Sequence, residues 1–285
     1  MESEKLVPVP YEGDFSLSET LKSGQIFHWE PLRLGGTEGW AGCIGAGPPA
    51  FVSQDDSGAV LASAADAERV ARYFGLDEPL AAVHATFPDD PVLREAIAYA
   101  PGIRVARQPL WECLATFITS SLKQVSHIRS MSLTLRQRYG ERHGLGGAAF
   151  HAYPAPEALA AAGEEALRRC ALGYRAKSLH LAACAIAAGE FDLGAVETEP
   201  SLEAARARLM QLHGVGGKIA NCALLFGAGR WDAFPIDVWM ERALRRLYRK
   251  RLKGPRLQRW AEQHFGPCAG YAQQYLFHFA RKTLK

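Results

Sequence analysis

Over its first hundred residues the chain alternates apolar and polar positions in short runs broken by glycine and proline. Beyond that it changes to a helical period. Alternation at every second residue places one face of a strand in a core. It predicts strands over 25–29, 39–44, 50–54 and 59–62, with Gly45-Ala46-Gly47-Pro48 as one of the turns. Residues 64–74 and 91–99 read as helices. The expected fold class is therefore α+β: an antiparallel sheet with helices on one side, spanning residues 1–105. From Trp111 onward the strand signal disappears. Apolar residues then recur three and four apart over 111–119, 122–139, 156–162, 164–171, 174–188, 201–212, 218–226, 238–247, 255–264 and 271–282. Many of the joints hold Gly or Pro. Residues 106–285 are expected to form an all-helical body, with the Gly-rich stretch 140–147 as a mobile surface loop.

Composition narrows the class. The 285 residues suffice for one sizeable core or two to three small domains. Hydrophobic and charged contents of 48% and 22% are those of an ordinary globular protein. No apolar run approaches membrane-spanning length, and the first residues lack a signal-peptide pattern. No membrane partner is expected, and the expected location is the cytoplasm (nucleoid-associated in a bacterium, the nucleus in a eukaryote). Cys43, Cys113, Cys170, Cys184, Cys222 and Cys268 are scattered without metal-site spacing, which reads as reduced thiols, with no metal and no cofactor. Charge is unevenly spread. Residues 1–100 hold 6 Lys/Arg against 16 Asp/Glu, a net of −10, while residues 101–285 hold 27 against 14, a net of +13. A basic body suggests a polyanionic partner. Nine Lys/Arg and no acid lie between Arg242 and Arg259, as a solvated face or as a DNA contact.

The most specific motif is Leu212-His213-Gly214-Val215-Gly216-Gly217-Lys218, with Asp237 nineteen positions later in Phe234-Pro235-Ile236-Asp237-Val238. Gly214 and Gly216 permit a tight turn whose N–H groups, at a helix start, suit a phosphate. Read singly, the turn is helical-hairpin punctuation, Lys218 a solvated first-turn lysine and Asp237 a helix N-cap. Read together, they pair DNA-backbone binding with an amine nucleophile. The positive end of a helix is an unhelpful place for a charge on Lys218 and favours the neutral amine a nucleophile needs.

These residues resemble the helix-hairpin-helix DNA glycosylases that carry a Gly/Pro-rich loop and an essential Asp. Within that superfamily the chain is most similar to the 8-oxoguanine DNA glycosylase/AP lyases. Further segments carry the likeness in family order: Ser23-Gly24-Gln25-Ile26-Phe27-His28-Trp29, Arg107-Gln108 with Glu112-Cys113-Leu114, Leu172-Gly173-Tyr174-Arg175-Ala176, and Gly270-Tyr271-Ala272-Gln273 with Leu276-Phe277. The resemblance covers nearly the whole chain. It implies a two-lobed helical body with its helix-hairpin-helix at 201–226 and the lysine at the cleft. It also implies a monomer acting on double-stranded DNA that contains 8-oxoguanine. Lys218 would attack the anomeric carbon of a flipped nucleotide, displace the base and form a Schiff base, from which strand cleavage follows. Asp237 would stabilise the developing positive charge. Gly24 would offer a carbonyl to N7–H, the proton that separates 8-oxoguanine from guanine. Phe277 and Cys222 would sandwich the purine and Gln273 would read its Watson–Crick edge, although by residue type alone Phe277 and Cys222 are core residues.

Opposite the lesion the family pattern weakens. Leu122 stands where an asparagine fills the vacated stack, and His127 replaces an arginine that contacts the orphaned cytosine. Gln124 belongs to the same DNA-facing segment, or forms a capping box with Ser121. Arg175 is retained, and Tyr174 keeps the aromatic wedge position. Trp239 replaces a phosphate-contacting histidine, and Ala280 the aspartate that orients it. Reduced cytosine selectivity follows as an expectation. Two alternatives share the hairpin. An endonuclease III-like enzyme for other oxidised bases normally adds a cysteine cluster, whereas here only Cys268 lies in the C-terminal region. A non-enzymatic DNA-binding module needs the glycines but neither Lys218 nor Asp237.

Overall fold

The computed structural model describes residues 5–121 and 123–283; Leu122 lies outside them. The N-terminal part is built from β1 (Leu6–Pro8), α1 (Leu17–Lys22), β2 (Glu30–Leu34), β3 (Thr37–Cys43), β4 (Pro49–Gln54) and β5 (Val60–Ser63). The sheet runs in the order β1-β5-β4-β3-β2, antiparallel throughout. Next come α2 (Ala67–Tyr73), α3 (Leu80–His84) and α4 (Pro91–Tyr99). Asp90 caps α4, accepting from the N–H groups of Val92 and Leu93 at 2.9 and 3.0 Å. Val70 and Tyr73 of α2 pack with Trp29, Phe74, Val52 and Ala62 on one face of the sheet.

One expected strand is absent. Residues 25–29 are irregular, and the strand instead begins at Glu30. Their alternating pattern is real, but side chains hold the backbone in place of a ladder. Gln25 donates to Ser23 Oγ (2.9 Å) and the Arg104 carbonyl (2.7 Å) and accepts from the Ala106 N–H (2.8 Å). Arg104, fully buried, donates to the carbonyls of Glu12, Asp14, Gly75 and Glu78. On the segment itself, Gln108 donates to the Gln25 carbonyl (2.9 Å) and Arg129 to the Trp29 carbonyl (2.8 Å), acceptors that a strand would have paired in a ladder.

The body comprises α5 (Leu110–Thr119), α6 (Val125–Tyr139), β6 (Arg142–Leu145), β7 (Ala148–His151), α7 (Pro156–Leu167), α8 (Arg175–Ala187), α9 (Gly194–Glu197), α10 (Leu202–Leu209), α11 (Gly217–Phe226), α12 (Val238–Leu247), α13 (Gly254–Phe265) and α14 (Ala269–Thr283). Helix α5 is buried along nearly its whole length and packs on α8 and α11. The break expected at 163 is present, since Gly163 has φ +77° inside α7. Helix α6 starts at Val125 because Gln124 is extended.

The body departs from an all-helical one at 142–151. The stretch expected to be a mobile loop is a hairpin, in which Leu145 faces Ala148 across Gly146 and Gly147. Both glycines have positive φ (57° and 83°), which a two-residue hairpin turn demands. Phe150 and Ala152 then join Leu34, Ala41, Cys43 and Phe51 in a core on the sheet. Helices on one side and a hairpin lent by the body thus cover it. Glu112, buried on α5, accepts from Arg136 and from the Gly45 N–H (3.0 Å) and lies 3.3 Å from His28 Nδ1, tying the parts together. No helix among the described residues is long and apolar enough to cross a membrane.

Candidate active site

The helical hairpin is defined at both ends. Ser201 caps α10 by accepting from the Ala204 N–H at 3.3 Å. Gly214, at φ +78°, brings the turn so close to α8 that a Cβ would run into the Ser178 hydroxyl and lie 2.8 Å from its Cβ. Gly216 is the N-cap of α11. It adds no side-chain cap, and nothing lies within 4 Å of where its Cβ would be. Among the described residues no acceptor meets the N–H groups of Gly217, Lys218 and Ile219, a setting suited to a phosphate.

Lys218 occupies the first turn of α11 and is half-buried. Its Nζ donates to Ser120 Oγ at 3.2 Å and lies 4.7 Å from the centre of the Phe117 ring. Ser120, at the end of α5, in turn donates to the Phe117 carbonyl at 2.8 Å. Cys222, one turn further along α11, is buried beside Lys218. Burial pushes its thiol up to about 11, with Lys218 acting the other way and Asp237 reinforcing the rise. Cys222 is therefore a neutral, polarisable surface at neutral pH.

Asp237 is both a cap and a member of this cluster. Its carboxylate accepts from the Met240 N–H at 2.7 Å, closing the start of α12. The loop before it is pinned through the Phe234 carbonyl, which accepts from Gln258 (2.8 Å) and from Asn221 of α11 (3.5 Å). Phe234 stacks on Phe265 at 5.3 Å. Lysine and carboxylate thus sit on elements fastened to each other.

Facing them is α14. Phe277 is half-buried, and its Cε1 lies 3.4 Å from where a Cβ on Gly24 would be. Gly24 itself has φ +89°. The carbonyls on either side of it, of Ser23 and Gln25, accept from Gln274 (3.2 Å) and Gln108 (2.9 Å). Gln273 is buried, and its Oε1 has no hydrogen-bond partner among the described residues. An orphaned buried acceptor is costly unless a ligand meets it. Sequence reasoning missed Ser120 and Arg281. Arg281 follows Phe277 by four residues on the same helix, and that spacing was the available signal. Two clefts of about 550 and 400 Å³ lie beside the sheet, and neither is lined by Lys218, Asp237 or Phe277.

The residues expected to meet DNA lie on several elements. Tyr174 is 61% exposed, with the Arg175 guanidinium 4.3 Å from its ring centre. Arg175 is buried, and its Nε donates to the Ser121 carbonyl at 2.8 Å. Gln124 and His127 are exposed at the start of α6, and Gln124 stands at the N-cap without a side-chain capping bond. Trp239 is 48% exposed beside Arg242, while Ala280 is buried. The basic run falls on the end of α12, the following loop and the start of α13, and most of it is exposed. The six cysteines are free thiols, and among the described residues no His/Cys/Asp/Glu cluster is placed to hold a metal ion.

A family profile described as 8-oxoguanine DNA glycosylase, N-terminal domain, matches residues 7–114. One described as HhH-GPD superfamily base excision DNA repair protein matches residues 116–259. A probable N-glycosylase/DNA lyase of Methanothermobacter thermautotrophicus is 30% identical over 220 residues, 70% of each chain. The N-glycosylase/DNA lyase of Saccharomyces cerevisiae is 28% identical, over 83% of this chain and 69% of its own. Among solved structures, MBOgg1 in complex with a low-affinity DNA ligand superposes with a TM-score of 0.90 at 33% identity, covering 100% of this chain and 98% of that one. The 8-oxoguanine glycosylase/lyase of Clostridium acetobutylicum, bound to DNA with cytosine opposite 8-oxoguanine, shares the fold at a TM-score of 0.88 and 24% identity over both whole chains. The chain therefore belongs to the HhH-GPD superfamily of base excision DNA repair proteins, in the branch of N-glycosylase/DNA lyases that carry the 8-oxoguanine DNA glycosylase N-terminal domain.

Proposed function

We propose that this protein excises 8-oxoguanine from duplex DNA through a lysine imine and then cleaves the strand at the resulting abasic site. The observation that carries the reading is Lys218, half-buried at an open helix start, in one cluster with Cys222 and Asp237. The reaction needs the nucleotide out of the duplex, because its anomeric carbon is shielded in the stack. Lys218 Nζ attacks C1′, and the base departs with the electron pair of the glycosidic bond and takes up a proton. The nitrogen lone pair then forms the C=N bond as the C1′–O4′ bond breaks, O4′ takes up a proton, and an iminium remains at C1′. Loss of a proton from C2′ then breaks the C3′–O bond and releases the 3′ phosphate. Asp237, held by its cap bond, stabilises the positive charge that builds on the sugar. Ser120 orients the amine beforehand.

For the base, Phe277 and neutral Cys222 supply the two stacking faces and Gln273 offers its unpartnered oxygen to the Watson–Crick edge. The Gly24 carbonyl accepts from N7–H of the oxidised base and finds no such donor on guanine. Tyr174, Arg175, Gln124 and His127, with the hairpin glycines and Trp239, serve the DNA around the extruded nucleotide. The test is borohydride trapping on a duplex containing 8-oxoguanine. The parent forms a covalent adduct and a nicked strand. Lys218→Gln forms neither while still binding the duplex. Strand cleavage by that variant near the parent rate overturns the mechanism.

A further inference from the structure

Arg281 lies on α14 one turn after Phe277, its guanidinium carbon 5.4 Å from the centre of the Phe277 ring. Its Nη1 is 3.1 Å from the position a Cβ on Gly24 would take. The side chain is therefore at the entrance of the base site, between the stacking ring and the N7-reading loop. The group is half-buried, and burial lowers its pKa from the usual arginine range while the Asp237 carboxylate opposes that shift. Even so, among the described residues none of its N–H groups is hydrogen-bonded and no carboxylate is within ion-pair distance. A partly desolvated guanidinium with idle donors is costly unless an anion completes it.

Two other cations of the site are already engaged. Lys218 is hydrogen-bonded to Ser120 and is the proposed nucleophile. Arg175 spends Nε and Nη2 on the Ser121 carbonyl and Nη1 on that of Leu172 (3.4 Å). A nucleotide turned into the site brings its phosphates toward Asp237, a repulsion that some cation must offset. Phe277 holds the Arg281 guanidinium in place before DNA arrives, which lowers the ordering cost of the contact.

We propose that Arg281 binds the backbone phosphate of the extruded nucleotide. This rests on the reading above only for what enters the site. A duplex carrying a tetrahydrofuran abasic analogue, which has the phosphates but no base and no reactive C1′ oxygen, separates the two claims. Its binding to the parent, Arg281→Lys and Arg281→Gln is measured across a salt series, with melting curves for each protein. Arg281→Gln should bind several-fold more weakly, with the slope of log affinity against log salt smaller by about 0.9. Arg281→Lys should keep most of that slope, because the charge remains. An unchanged slope in Arg281→Gln overturns the proposal. So does unchanged binding of the analogue with poorer discrimination of 8-oxoguanine from guanine, which would make Arg281 a base reader. If Arg281→Gln fails to fold, Arg281→Met takes its place and must lose the same slope; a folded charge-free variant that keeps the parent slope overturns the proposal. Failure of the lysine-imine mechanism appears separately, as absence of borohydride trapping by the parent on 8-oxoguanine DNA.

Discussion

Asparagine at position 237 separates the charge of this carboxylate from its geometry. The Asp237 oxygen accepts from the Met240 N–H at 2.7 Å, and an asparagine oxygen accepts the same bond. The two residues cap helices about equally well. What Asp237→Asn loses in stability is the attraction of a negative charge for the helix start, about 0.3–1 kcal/mol. A protein of this size loses about 2–4 °C of melting temperature per kcal/mol. The asparagine variant should therefore melt no more than about 4 °C below the parent. Asp237→Ala also removes the cap, about 1 kcal/mol more, and should melt roughly 3–8 °C below. The chemical effect is of another size. Losing one preorganised group aimed at developing charge costs about 10²–10³ in rate. Because both variants lack the charge, both should slow alike although their stabilities differ. The assay is single-turnover excision of 8-oxoguanine with enzyme in excess, alongside melting curves on the same preparations. If Asp237→Asn slows excision less than about tenfold while its melting temperature falls as far as that of the alanine variant, the carboxylate is a helix cap only.

Phe277→Ala should slow excision by roughly fivefold to 150-fold, from a stacking interaction of about 1–3 kcal/mol per base; equal single-turnover rates in a folded variant remove Phe277 from the base site. Gly214→Ala must hold a Cβ at φ +78° against Ser178, so both melting temperature and duplex affinity should fall. Adding Ser178→Gly should restore part of the loss, and no recovery at all would show that the close approach to α8 is not what matters. Burial, then the Arg136 charge, holds the His28 imidazole well below its usual range. The unfolded chain takes up a proton below about pH 6.5 that the folded one refuses, so this stability is full above that pH and is lost as pH falls through it. Melting of His28→Gln should depend less on pH in that window, and an identical profile refutes the assignment. Leu122→Asn with His127→Arg should sharpen the preference for cytosine opposite the lesion, because polar groups left unpaired reject a wrong base more strongly than an apolar contact does. Single-turnover rates opposite C, A, G and T check this, and a parent that already favours cytosine several hundredfold contradicts it.

The helical body was legible because its signals are local. Ser201 and Asp237 cap the helices they precede, and Gly163 interrupts α7 where the periodicity breaks. Other features depended on distant partners. Residues 25–29 alternate like a strand, but Arg104, Ala106 and Gln108 hold them in another shape from some eighty positions away. The hairpin at 142–151 was missed because Arg142-His143-Gly144 presents no apolar alternation. Its Gly146-Gly147 turn was the readable sign, and its apolar partners belong to the sheet. Within the proposed site, the signal that singled out Lys218 and Asp237 was their spacing. Ser120 gave no such signal, since an ordinary serine at a helix end gains meaning only from what it faces, and Arg281 offered only its four-residue spacing from Phe277.

The clamp on Gly24 divides the work of the protein between its two parts. The amine and the carboxylate belong to α11 and the cap of α12, whereas the carbonyl proposed to inspect N7 stands on a loop of the sheet domain. Gln108 and Gln274 of the body grip that loop on both sides. On the proposed function the sheet domain acts as a gauge, and the body sets the gauge's distance from the proposed nucleophile, Lys218. Any change that lets the two parts slide by a fraction of a hydrogen bond leaves the cutting machinery whole and blurs the measurement. Errors in such a protein would show first as wrong choices of base, well before loss of turnover.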